Sequence, residues 1–261
     1  MKVVDRVLRQ VQVTRYIEPL KEGGSLPGLV AADDGFKYVI KFKGAGQGYK
    51  ALVAELIGGL LAQTLGLKVP ELVFAELDES FGRSEPDHEI RSLLKASEGQ
   101  NLALHYLSGA STFDKTVNKV DTLLASQIVW FDAYIMNVDR TAKNTNMLMW
   151  KEELWLIDHG AALYFHHNWA QWEQYIASAF VAINKHVLVQ YATKIQTVDE
   201  AYKTILTPEV ITAIVQQIPD EWLENDGDGI SATEKRKVYI TLLNQRLQHT
   251  PNFIKSITDA R

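Results

Sequence analysis

Three polar side chains in the middle of the chain have the types and order needed to handle a phosphoryl group. Asp139 and Asn144 stand five residues apart in Asn137-Val138-Asp139-Arg140-Thr141-Ala142-Lys143-Asn144-Thr145-Asn146, and Asp158 follows in Asp158-His159-Gly160. Phosphoryl transfer asks for little covalent chemistry from a protein. One carboxylate orients or deprotonates the attacking hydroxyl. An amide oxygen and a second carboxylate hold Mg²⁺ against the nucleotide phosphates. Asp139 fits the first role, and Asn144 with Asp158 the second. Each fragment alone is common, because Asp and Gly favour turns. Their order, and the apolar hairpin between them, gives the combination its weight.

The Asp-x-x-x-x-Asn spacing is that of a kinase catalytic loop, and Asp-His-Gly stands where kinases carry Asp-Phe-Gly. The N-terminal third supplies matching parts. Lys41 lies in the apolar strand Tyr38-Val39-Ile40-Lys41-Phe42, from which an inward lysine reaches nucleotide phosphates. Glu55, on the next helix, is the carboxylate expected to pair with it, although Glu71 and Glu76 are other carboxylates nearby in sequence. Two glycine clusters compete to cover the phosphates. Gly23, Gly24 and Ser25 offer backbone N–H groups and a hydroxyl. Gly44-Ala45-Gly46-Gln47-Gly48 fails the dinucleotide-binding spacing, because its third glycine comes one residue early and Tyr49 occupies the expected place. No P-loop motif occurs. The reading favours Gly23, Gly24 and Ser25 as the phosphate loop and the second cluster as a turn into the helix.

These residues need a strand-rich first part and a helical second part. Residues 3–17 read as one or two strands. The turn Asp33-Asp34-Gly35 between apolar runs predicts a hairpin. Leu52, Leu56, Gly59 and Leu60 recur at helical spacing within 50–65, with Gly66 as the cap. A strand over 72–77, a short helix over 89–96 and an apolar segment from Leu102 to Leu107 follow. A helix over 119–136 precedes the polar loop, and a hairpin of 147–150 and 154–157 leads to Asp158. Further helices are expected at 170–192, 199–206, 208–217 and 231–247. The fold class is thus α+β in two lobes, divided as 1–107 and 108–261.

Composition excludes several other classes. The chain has 261 residues, enough for a core in each lobe, and a net charge of −5. Direct nucleic-acid binding and broad attraction to an anionic membrane are not expected. The absence of cysteine excludes disulfides, thiolate zinc sites and a thiol nucleophile, and is compatible with a reducing compartment. No apolar run has the length of a membrane span, and the first residues lack a secretory apolar core, so the expected location is cytoplasmic. His166-His167 lacks a suitably spaced third metal ligand. The stretch beginning Glu224-Asn225-Asp226 resembles a calcium loop, but Lys235 occupies its last ligand position.

Glu22-Gly23-Gly24-Ser25-Leu26-Pro27, the 41–48 segment, Trp130-Phe131-Asp132-Ala133, Asn137-Val138-Asp139-Arg140-Thr141 and Leu156-Ile157-Asp158-His159-Gly160-Ala161-Ala162-Leu163 together resemble the short, stand-alone HipA-like kinases. The resemblance covers most of residues 12–170 and is weak beyond. It implies a protein-kinase-like fold, with ATP and Mg²⁺ as cofactors. By motif, Asp139 would be the catalytic aspartate, Asn144 and Asp158 the metal ligands, and Lys41 a phosphate contact. Lys143 would add positive charge beside the catalytic loop, and Leu102–Ser108 would include the adenine hinge. The Asp-Arg opening also resembles the phosphoinositide-kinase superfamily. Asn137-Val138 replaces the usual His-Arg, His159 replaces Phe, and no Ala-Pro-Glu follows. The expected partners are a nucleotide and an unidentified acceptor, a protein hydroxyl ahead of a lipid or small molecule, with a regulatory protein as a further partner. A non-catalytic nucleotide-binding module is the alternative.

Overall fold

The computed structural model describes residues 7–20, 26–46, 48–79, 81–82, 85–225 and 228–261. The Gly23-Gly24-Ser25 loop lies outside the described residues. The first part is a closed barrel of five strands, β1 (Gln10–Pro19), β2 (Gly28–Ala32), β3 (Lys37–Lys41), β4 (Leu72–Leu77) and β5 (Gly99–His105), in the order β1-β2-β3-β5-β4. The β2–β3 hairpin turns where Asp-Gly predicts, with Gly35 at φ 82°. The period of two fixes which side chains enter the barrel. Tyr38 and Ile40 of β3 are buried in the interior cluster, with Val11, Val30 and Val73. Lys41 therefore faces outward, toward the helix that follows.

That helix, α1 (Gly48–Thr64), is buried continuously from Leu52 to Ala62. It is apolar nearly all round, as expected of a helix enclosed by its neighbours. Gly58 and Gly59 lie in its middle, where each costs about 1 kcal/mol relative to Ala by intrinsic propensity. Close packing explains them. A Cβ on Gly58 would sit 2.7 Å from His159 Cβ, and one on Gly59 2.9 Å from Leu72 Cδ2. Helix α2 (His88–Ala96) follows β4, capped by Asp87, whose side chain accepts from Glu89 and Ile90 N–H.

The second part opens with β6 (Ser111–Thr112) and α3 (Thr122–Tyr134), which Asp121 caps. The hairpin of β7 (Met147–Trp150) and β8 (Glu153–Leu156) turns through Lys151 and Glu152, both at positive φ (50° and 64°). Two consecutive positive φ values make the turn whose twist matches the strands. Helices α4 (Ile195–Ile205), α5 (Pro208–Val215), α6 (Asp220–Glu224), α7 (Ala232–Gln248) and α8 (Thr250–Ala260) complete the chain. No described helix is long and apolar enough to cross a membrane.

The helix expected over 170–192 does not form. The chain there runs through 3₁₀ turns at Tyr164–His167, Trp169–Tyr175, Val181–Lys185 and Val189–Tyr191. Side chains from α7 and α8 take the carbonyls that a helix would use. Arg246 Nη1 donates to Tyr175 O at 2.7 Å and to Ser178 O at 3.2 Å, and Asn252 Nδ2 to Ala177 O at 2.6 Å. Helix α8 and the short α6 were not anticipated from the sequence.

Gly58→Ala tests how closely α1 sits against the segment carrying Asp158. The helix-propensity gain of about 1 kcal/mol is expected to be outweighed by an overpacking cost of about 1–3 kcal/mol. Urea unfolding should give a lower midpoint for the variant; a higher one would show that the contact yields freely.

Candidate active site

Lys41, Glu55 and Asp158 meet at one point. Lys41 Nζ lies 3.1 Å from Glu55 Oε2 and 2.5 Å from Asp158 Oδ1. Glu71, an alternative by sequence, instead pairs with Arg9 at 3.1 Å. Glu55 is completely buried. Its second tie is to the residue after Asp158, because His159 N–H donates to Glu55 Oε2 at 2.8 Å. The His159 ring packs beneath, its Nδ1 3.4 Å from Glu55 Oε1 and its plane edge-on to Phe131. Burial works against the Lys41 charge, but Glu55 and Asp158 more than compensate and raise its pKa above the ordinary value. Burial likewise works against the Glu55 carboxylate, and Lys41 and His159 bring its pKa below the usual range. The result is a fixed ammonium between two carboxylates.

Asp158 has φ 56°, a conformation that costs a non-glycine residue energy and that Asp tolerates better than most. Its side chain is 36% exposed, so one face remains open beyond Lys41.

The polar loop between α3 and β7 presents Asp139 beside two amides. Asn144 Nδ2 donates to Asp139 Oδ2 at 2.8 Å, and Asn146 Nδ2 donates to the same oxygen at 3.2 Å. Asn137 Oδ1 accepts the Asp139 N–H at 3.1 Å. Because Asn144 uses its nitrogen on Asp139, its amide oxygen remains for a cation. Lys143 is exposed, and no hydrogen bond or ion pair among the described residues joins it to Asp139 or Asp158.

A buried cluster underlies this loop. Asp132 and Arg140 have fully buried side chains, with Arg140 Nε 2.6 Å from Asp132 Oδ2. Asn137 Nδ2 donates to Asp132 Oδ1 at 2.9 Å, and His186 Nε2 lies 2.9 Å from Asp132 Oδ2. The Leu188 N–H donates to His186 Nδ1 at 3.0 Å, which leaves the proton of a neutral ring on Nε2, facing Asp132. Arg140 Nη1 donates to the carbonyls of Asn146 and Ile157, the latter at 3.3 Å. One guanidinium thus touches α3, the end of the 137–146 loop and the residue before Asp158. Burial opposes the Asp132 charge, but Arg140 and His186 hold its pKa well below the usual carboxylate range.

Sequence reasoning named Lys41, Glu55, Asp139, Asn144 and Asp158, and the structure brings them into these two adjoining groups. It assigned no role to Asn146, Asp132, Arg140 or His186. Asp132 carried a signal, since a carboxylate among Ile128, Phe131 and Ile135 on a buried helix face must be paired. His186 carried none, because its partner is far away in sequence. Of the second glycine cluster, Gly44 and Gly46 lie between β3 and α1 and Gly48 opens α1, with Gly44 pressed on α2, where a Cβ would lie 2.6 Å from Ala96 Cβ. His166 is buried with Nδ1 2.8 Å from Tyr239 OH, and Lys235 is buried with its ammonium on Leu223 O at 2.6 Å. Lys235 Nζ also lies 2.8 Å from Asp228 Oδ1, so an internal ammonium serves the calcium-like loop.

A barrel with one buried helix, followed by a helical part carrying these loops, defines a protein-kinase-like fold. Solved structures share it, among them the following two. The Helicobacter pylori proinflammatory kinase CtkA aligns with a TM-score of 0.58 at 13% identity, over 97% of each chain. The Golgi casein kinase with Mn and ADP bound aligns with a TM-score of 0.50 at 11% identity, over 97% of this chain and 76% of that one. At these identities the likeness is one of fold. No curated protein sequence matches. The HipA-like kinase profile matches residues 13–257, well beyond the 12–170 region that carries the recognisable motifs. The chain belongs to the HipA-like kinase family.

The Asp132–Arg140 pair predicts an acid-sensitive contribution to stability. With its folded pKa depressed, Asp132 contributes above its unfolded value of about 3.9 and loses that contribution as pH falls through the folded value. Asp132→Asn should cost roughly 3–5 kcal/mol at neutral pH, by leaving Arg140 buried and unpaired. Its stability should also fall less steeply than wild type below about pH 4. Urea titrations at pH 7 and in acid check both, and parallel slopes would count against the assignment.

Proposed function

We propose that this protein is an ATP-dependent phosphotransferase, with the 1–107 part covering the nucleotide and the 108–261 part carrying the catalytic loop. The observation that carries the reading is the adjacency of the two groups: Lys41 with Glu55 and Asp158, and Asp139 with Asn144, joined by Arg140 beneath. The family and the kinase-like neighbours, one with Mn and ADP bound, support nucleotide and divalent-metal use.

The donor set suits a hard cation. Asp158 offers carboxylate oxygen and Asn144 an amide oxygen, the ligand type that Mg²⁺ prefers. When bound, Mg²⁺ neutralises charge on the nucleotide phosphates. Lys41 is kept cationic by its two carboxylates and exchanges Asp158 for a phosphate oxygen. Glu55 stays in place as its permanent partner and holds it at the right depth. Asp139, oriented by Asn144 and Asn146, accepts the hydrogen bond and then the proton of the attacking hydroxyl. Lys143 is exposed on the same loop and is proposed to add positive potential where the transferring group accumulates charge. Gly23, Gly24 and Ser25 remain the proposed phosphate-covering loop. The proposed acceptor is a protein serine or threonine hydroxyl, in keeping with likeness to a casein kinase, and the proposed location is the cytoplasm.

Purified protein with labelled ATP and Mg²⁺ is expected to show autophosphorylation or slow ATP turnover. Asp139→Ala should lower the rate by roughly 10²–10⁴-fold, the usual loss for a catalytic base. ATP with Mg²⁺ should still raise the melting temperature of that variant, because it spares the phosphate contacts. Equal rates in wild type and Asp139→Ala would overturn the assignment. A thermal shift without turnover in wild type would leave a nucleotide-binding module.

A further inference from the structure

The contact between α6 and the β3–α1 connection joins parts of the chain 178 residues apart and has no role in the chemistry above. Glu221 Oε1 accepts from Lys43 Nζ at 2.6 Å and from Tyr49 OH at 3.1 Å. Lys43 lies two residues after Lys41, and Tyr49 six residues before Glu55. One carboxylate oxygen therefore grips both ends of the segment linking the two halves of the Lys41–Glu55 pair. The inner side of that segment rests on fixed groups: Lys43 N–H donates to Asn101 Oδ1 at 2.9 Å, and Gly44 N–H to Ser97 Oγ at 3.2 Å.

Helix α6 is well anchored for this task. Trp222 is buried, its Nε1 donating to Gln100 O at 3.3 Å and its ring edge-on to Phe74 at 5.7 Å. Lys235 of α7 holds Leu223 O at 2.6 Å, and Arg236 pairs with Asp220 at 2.5 Å. Two successive cations of α7 thus fix α6, and α6 presents Glu221 to the first part of the chain.

We infer that Glu221 is a positioning residue for phosphoryl transfer: it braces the start of α1 so that Glu55 stays seated on Lys41. The inference rests on the kinase reading above. The Glu221 side chain is 42% exposed, so its ion pair adds little to global stability. Loss of the brace should therefore appear in catalysis and in local motion, with little change in the melting temperature.

The test uses the full chain with Glu221→Ala, Glu221→Gln, Glu55→Gln and the Glu55→Gln/Glu221→Ala double variant. ATP turnover with Mg²⁺ should fall in Glu221→Ala by roughly 10- to 100-fold, the size of effect that misplacing a catalytic group gives. Glu221→Gln keeps an acceptor oxygen for Tyr49 and should be intermediate. The double variant should be no slower than Glu55→Gln, because both act through one contact. Amide exchange should accelerate in residues 48–56 of Glu221→Ala, measured against α7 as internal reference. Unchanged turnover, additive losses or unchanged exchange in α1 would each overturn the inference. If the wild-type protein turns over no ATP, the kinase reading fails by itself, and the exchange measurement still decides whether Glu221 braces α1.

Discussion

The buried pair of Arg140 with Asp132 is the constraint on which the site depends. Removing both charges from water costs several kcal/mol per ion, so such a pair persists only where geometry and further hydrogen bonds offset that cost. Here Asp132 also accepts from Asn137 and faces His186, while Arg140 reaches the carbonyls of Asn146 and Ile157. Arg140 Nη2 meets no acceptor among the described residues. Compensation is thus incomplete, and an apolar pair of equal volume would serve stability about as well. What an apolar pair would lack is direction. The guanidinium fork sets the 137–146 loop and the strand leading to Asp158 in one register.

That register matters because the two chemical groups come from different structural layers. Asp139 and Asn144 belong to a loop after α3, whereas Lys41 and Glu55 belong to the barrel and its buried helix. Asp158 is the hinge between them. Its side chain turns to Lys41, and the preceding carbonyl turns to Arg140. The left-handed backbone at Asp158 lets one short segment face both ways. His159 extends the same link, because its N–H and ring both address Glu55. A polar ring at this position gives the segment a contact to α1 that a phenylalanine could not make.

What was legible in the sequence divides along physical lines. The strand-turn-strand segments and the buried α1 followed from period, glycine placement and Asp-Gly chemistry, all local signals. The contact of Asn144 with Asp139 was legible because their spacing in one loop constrains them. The 170–192 stretch was misread as a helix. Its backbone carbonyls are instead taken by Arg246 and Asn252, from elements about seventy residues away in sequence. His186 was invisible for the same reason, as its role exists only once that irregular chain lies against α3.

The irregular stretch also bears on the 137–146 loop. A regular helix over 170–192 would use the Val187 N–H within itself, since that group lies in the helix interior. The 3₁₀ course frees Val187 N–H to donate to Arg140 O at 3.2 Å and lets His186 bridge to Thr141. The stretch thereby touches the 137–146 loop by backbone as well as through Asp132. Arg140 is held at its side chain by α3 and at its carbonyl by this segment, so its orientation is fixed from two sides. The residues flanking it, Asp139 above all, inherit that rigidity.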